Sequence, residues 1–101
     1  MAIINTNTAI NSLGDSLAST YIRVISKDIY DGSVDVILYV YKDKASFQAN
    51  SLPIQDFLDL DFRHFNTGQI ADTSRANIHN LVVAELVSRG FDGAKLTIDL
   101  V

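Results

Sequence analysis

Two histidines, a pair of aspartates two residues apart and an acidic turn are the residues of this 101-residue chain whose types suit chemistry. His64 falls between Phe62 and Phe65, and His79 beside Ile78 in an apolar periodic segment. Together with Asp61 or Asp72 they supply the right atoms for a metal, but neither H-x-x-x-H nor H-E-x-x-H spacing occurs. The reading favoured is a hydrogen-bonded, partly buried His64 and a solvent-edge His79. Asp59 and Asp61, in "LDLD", project from one strand face, where paired carboxylates hold Mg²⁺ or share a proton. Arg63 is next on that face and offers simpler neutralisation. "DIYDGSVD", Asp28–Asp35, misses the calcium-loop spacing and its closing glutamate. No phosphate loop, dinucleotide glycine pattern or nucleophile elbow is present. The sequence therefore points to a protein that is not an enzyme, with no cofactor and no metal.

Composition narrows the class further. Without cysteine, disulfides and thiolate chemistry are excluded. A chain this long buries about 65% of its unfolded surface, enough for one modest core. The formal charge is −4, and the eight Lys and Arg are scattered singly, so no stripe exists to neutralise a row of phosphates. Direct nucleic-acid binding is not expected. Eleven of the twelve acids are Asp, a residue of turns and caps. No apolar run approaches a membrane span, and the N-terminus has no signal-peptide pattern, which makes secretion by that route unexpected.

The elements that must position these residues read as follows. Tyr21–Lys27 and Ser33–Tyr41 flank Asp31-Gly32 and form a β-hairpin. In its second strand Val34, Val36, Leu38 and Val40 share one face, and Asp35, Ile37, Tyr39 and Tyr41 the other. Ala45–Asn50 suits a short helical turn carrying Phe47, and Pro53 holds Leu52 extended. "FLDLDFRHF" alternates as a strand, with Leu58, Leu60, Phe62 and His64 on its apolar face. A helix capped by Asp72, Thr73 or Ser74 carries Ile78, Leu81, Val82 and Leu86 on one stripe. It ends at Gly90, with Phe91 placed to touch Leu86 in a Schellman cap. A last strand over Ala94–Val101 turns Leu96, Ile98 and Leu100 inward.

This order predicts an α+β fold: a sheet of about four strands with one long helix packed on it. The helix between two strands also allows a right-handed parallel crossover. Residues 1–20 read as an N-terminal arm or docking segment, and 21–101 as a single α+β domain. The arm carries Ile10, Leu13 and Leu17 at helical spacing among polar, uncharged residues, with Thr8 a possible N-cap.

One helix covers one face of a small sheet, yet both faces of the second hairpin strand are apolar. The sequence therefore assigns partner binding to Ile10, Leu13, Leu17, Tyr21, Ile37, Tyr39 and Tyr41, since Tyr-rich apolar patches are typical interface material. The partners expected are other protein subunits, the same or different, in a homo- or hetero-oligomer, with neither membrane nor nucleic acid.

"LYVYKDKASFQANSLPI", Leu38–Ile54, with its strand, short helical turn and extended exit, is similar to segments of the small virion proteins of tailed bacteriophages. The resemblance implies a structural subunit for capsid decoration, head–tail connection or the tail, located in the virion; without it a cytoplasmic location is expected. "INTNTAINSL", Ile4–Leu13, resembles the start of bacterial flagellins, but the β-rich chain that follows lacks the long helices of that family. The competing reading is a small acidic inhibitor or adaptor that presents Asp56, Asp59, Asp61 and Asp72 to a basic site on a host enzyme.

Overall fold

The computed structural model describes residues 1–10, 14, 16–28, 32–54 and 63–100, with backbone only for Ala9, Ile10 and Asp28. Strands β1 (Ala2–Asn5), β4 (Thr20–Asp28), β5 (Val34–Tyr41), β6 (His64–Asn66) and β7 (Leu96–Asp99) make a five-stranded sheet in the order β6-β5-β4-β1-β7. Every pairing in it is antiparallel. A separate ribbon pairs β2 (Ala9–Ile10) with β3 (Ser16–Leu17). Helix α1 spans Lys44–Gln48 and α2 spans Arg75–Ser88. The α+β class holds, with one strand more than the expected four.

The hairpin is the longest ladder, running from Tyr21 opposite Tyr41 to Asp28 opposite Val34. Its alternation sorts the core: Val34, Val36, Leu38 and Val40 are all buried, as are Ile22 and Val24 across from them. Ile3 of β1 continues that row beside Ile22. Helix α2 closes this face with Ile78, Val82 and Leu86. Ser74 caps its start by accepting from the Asn77 N–H at 3.3 Å, and Asp72 in turn accepts from the Ser74 N–H at 2.9 Å. At its end Gly90 takes φ +103°, Phe91 N–H donates to the Leu86 carbonyl at 3.1 Å and Gly90 N–H to that of Val87 at 3.0 Å. These are the two bonds of the expected Schellman cap.

The arm expected over residues 1–20 is not confirmed. Ala2–Asn5 is an inner strand, with β4 on one side and β7 on the other, and Ala2, Ile3 and Asn5 are buried. In place of the expected helical spacing, Ala9–Ile10 pairs with Ser16–Leu17 as the β2–β3 ribbon, and Gly14 takes φ +86°, where a helix needs negative φ. The polar residues of this stretch satisfy backbone and one another. Asn5 donates from Nδ2 to Thr20 Oγ1 at 3.1 Å and accepts at Oδ1 from the Asn7 backbone N–H at 2.9 Å. Asn7 Oδ1 accepts from the Asp92 N–H at 3.0 Å. Thr6 donates from both N and Oγ1 to the Lys95 carbonyl. Uncharged side chains do this at a buried sheet end without the desolvation cost of a charge.

Three further expectations change. β6 and β7 point the same way but lie at opposite edges of the sheet, so α2 spans from one edge to the other instead of linking a paired parallel crossover. β7 is shorter than the expected strand: Gly93–Lys95 is a 3-10 turn, and Leu100 is 75% exposed. The strand read in "FLDLDFRHF" is described only from Arg63 onward. There Phe65 pairs with Val36 and packs on the core, while His64 pairs with Ile37 on the opposite face and is exposed. The register to β5 decides this, and it reverses the face expected for His64.

Candidate protein-interaction face

The face of the sheet turned away from α2 carries Ile4, Tyr21, Arg23, Ile25, Asp35, Ile37, Tyr39, Tyr41 and His64, placed together by the register of β1, β4, β5 and β6. Its two ends differ. At one end α1 lies over the sheet. Asp43 caps α1 by accepting from the Ser46 N–H at 2.7 Å, and that bond holds the Asp43 carboxyl below the usual range. The cap starts the helix so that Phe47 points down onto the strands. The Phe47 ring stacks on Tyr21 with centroids 5.8 Å apart and meets Tyr41 edge-on at 5.2 Å. The Arg23 guanidinium stands 4.5 Å from the ring centroid. Lys44 pairs with Asp99 of β7 at 3.1 Å, tying α1 to the far edge.

At the other end the described side chains that border the strands are Pro53, Ile54, Arg63 and His64. Ile25 is 42% exposed and Tyr39 41%, with Ile37 half-buried between them. Ile25 pairs directly with Ile37, and Tyr39 with Arg23. A shallow cleft of about 170 Å³ adjoins this patch, lined among others by Ile37, Tyr39, Pro53, Ile54 and His64.

Of the residues assigned from sequence, Ile37 and Tyr39 come together here. Tyr21, 3% exposed, and half-buried Tyr41 pack against the chain's own Phe47. Leu17 is half-buried in the separate β2–β3 ribbon. The Ile10 side chain and Leu13 lie outside the described residues, as do Asp56, Asp59 and Asp61 of the acidic alternative. Its fourth member, Asp72, is engaged at the start of α2, and the Ser74 bond holds its carboxyl below the usual range. Sequence reasoning missed Ile25. Its alternation with Tyr21 and Arg23 along the first hairpin strand is the signal that marks it.

The two histidines exchange the environments expected of them: His64 is exposed and His79 is 2% exposed within the core. Among the described residues no three His, Asp or Glu side chains converge as a metal site would require. No described helix is long and apolar enough to cross a membrane. No protein-family model, curated protein or solved structure matches this chain.

Proposed function

We propose that this chain is a non-enzymatic structural subunit of a larger protein assembly, docking on a neighbouring subunit through the open end of its second sheet face. The observation that carries this reading is the adjacency of Ile25, Ile37 and Tyr39, an aliphatic and tyrosine surface on rigid hairpin strands, with both Ile25 and Tyr39 more than 40% exposed. Such a surface gains free energy when covered, at about 25 cal/mol per Å² of apolar area, and a strand-borne patch loses little side-chain entropy on docking. Asp35 and Lys27, opposite each other at its border, supply the polar rim usual around an apolar centre. A tailed-phage virion is the assembly that the resemblance of Leu38–Ile54 suggests, as a capsid, connector or tail component.

The test is sedimentation velocity at micromolar concentration on the wild type and on the double variant Ile25→Asp/Tyr39→Asp, alongside recovery of each from the natural source. The expected result is association by the wild type, with itself or with a co-purifying subunit, weakened at least tenfold in the variant. Equal behaviour of the two proteins in both measurements overturns the reading. Steep loss of binding with added salt would instead favour the acidic-adaptor alternative.

A further inference from the structure

β7 closes one edge of the five-stranded sheet, with β1 on its inner side. In an antiparallel ladder successive residues turn their N–H and C=O alternately to the two sides of the strand. The Thr6 N–H donates to the Lys95 carbonyl at 2.9 Å, and this fixes the parity. Lys95, Thr97 and Asp99 turn their backbone groups inward to β1, and Leu96, Ile98 and Leu100 turn theirs outward. The Leu96 N–H is taken by the Gly93 carbonyl of the 3-10 turn. The outer side therefore presents the Leu96 carbonyl and both backbone groups of Ile98 and of Leu100. Among the described residues no group bonds to them.

Such a row is a template for another strand, and sheets usually blunt it with proline, a bulge or inward-pointing charge. Here the outer residues Leu96, Ile98 and Leu100 are all aliphatic, and the register with β1 runs without a bulge. The charge in "LTIDL", Asp99, is held by Lys44 at 3.1 Å. Ile98 lies opposite Ile3, so its side chain and that of Leu96 turn to the α2 side, where both are half-buried. Leu100 follows them by parity and is 75% exposed.

We propose that β7 pairs antiparallel with β7 of a second copy of this chain, about a two-fold axis at Ile98, joining two five-stranded sheets into one. The two Ile98 residues exchange both of their bonds, and each Leu100 N–H donates to the Leu96 carbonyl opposite, which makes four bonds in all. Charge selects this register. An axis one residue later also offers four bonds, but it sets Asp99 directly against Asp99 of the second copy, where like charges destabilise. An axis one residue earlier keeps only two bonds, because the Leu96 N–H is already engaged. With the axis at Ile98, each Asp99 carboxylate faces a Thr97 hydroxyl. On the α2 side, exposed Leu100 comes to rest against Leu96 of the second copy. This edge is separated from Ile25, Ile37 and Tyr39 by β1, so it is a surface independent of the one proposed above. A pairing this short buries less than the roughly 1,600 Å² of a standard interface, which places it in the weak class.

The experiment is amide exchange followed by NMR, with sedimentation, on the full chain at tens of micromolar and at near-millimolar concentration. The Ile98 and Leu100 amides should exchange at least tenfold more slowly at the higher concentration, while Thr97, bonded into β1, is protected at both. A mixture of labelled and unlabelled chain should show a Thr97 Hα to Asp99 Hα contact between copies. Leu100→Pro removes an outward donor at an exposed position, as an edge strand tolerates, and with it two of the four bonds. Dimerisation should weaken at least tenfold, with the urea midpoint little changed. Ile25→Asp/Tyr39→Asp tests the face and should leave the edge protection in place, so either surface can fail without the other. Wild-type Ile98 and Leu100 amides that exchange alike at both concentrations overturn the proposal, whether or not the proline variant folds. A dimer without the Thr97–Asp99 contact overturns it too. Protection that requires an added foreign subunit overturns the second copy as occupant, and protection lost in Ile25→Asp/Tyr39→Asp moves the contact to the face and overturns the edge.

Discussion

The two faces of the sheet come from the same strands by the same alternation, yet they are sheltered by covers of very different reach. On one, the fourteen residues of α2 span roughly 21 Å at 1.5 Å per residue, close to the roughly 27 Å of an eight-residue strand such as β5. On the other, the five residues of α1 span roughly 7.5 Å, and Phe47 extends that cover only to Tyr21 and Tyr41. Ile25 and Tyr39 remain in contact with solvent. Alternation along a strand reports that a face is apolar. The length of the element laid over it sets how much of that face becomes dry.

The strongest way to break this comparison is to remove the strand that feeds both faces. β1 gives Ile3 to the α2 side and Ala2 to the other, and it is the bridge between β4 and β7. Deleting residues 1–5 should abolish cooperative unfolding in urea and the near-ultraviolet circular dichroism signal. The loss of an inner strand and its buried apolar residues exceeds the stability of about 5–15 kcal/mol available to a domain. A truncated chain that unfolds cooperatively near the wild-type midpoint would restore the picture of an N-terminal arm and remove β1 from both cores.

A smaller effect sharpens the contrast. Phe47→Ala strips the cover from the α1 end and removes two aromatic contacts and one cation–π contact. Because the ring is only half-buried, the cost should be about 1–3 kcal/mol, below the 2–5 kcal/mol expected for Leu86→Ala on the helix side. Urea midpoints of the two variants measure the difference. Equal losses would mean that the second face is a full core in its own right.

How much of this was legible in the sequence follows from how local each signal is. The β4–β5 hairpin and the caps of α2 were readable because alternation, Ser74 and the Gly90-Phe91 pair act within a few residues of their targets. β1 was not, because four residues carry little periodicity and one of its partners, β7, lies about ninety positions away. The Asn and Thr residues around β1 read as an N-terminal arm or docking segment, whereas Asn5 and Thr20 are buried against each other within the sheet. His64 was placed by counting apolar residues along its own strand, whereas pairing of Phe65 with Val36 fixes the face. Of the interaction face, Ile37 and Tyr39 were visible as strand parity. That Tyr21 and Tyr41 would be met by Phe47 was not, since a five-residue helix leaves no trace of which way it folds back.

The smallest effect bears most directly on function. Tyr39 stands on the open end of the face, paired across the hairpin with Arg23, and the residue is 41% exposed. A cross-strand pair of this kind contributes roughly 0.2–1 kcal/mol, and an exposed position of β5 retains its ladder hydrogen bonds whatever its side chain. Tyr39→Ser should therefore shift the urea stability of the isolated chain by no more than about 0.5 kcal/mol. The same change removes most of the aromatic surface that a neighbour would cover, so association should weaken by a much larger factor than stability does. That separation is what distinguishes an interface residue from a core residue. A Tyr39→Ser chain losing 2 kcal/mol or more would put Tyr39 in the core, making the two ends of the second face alike.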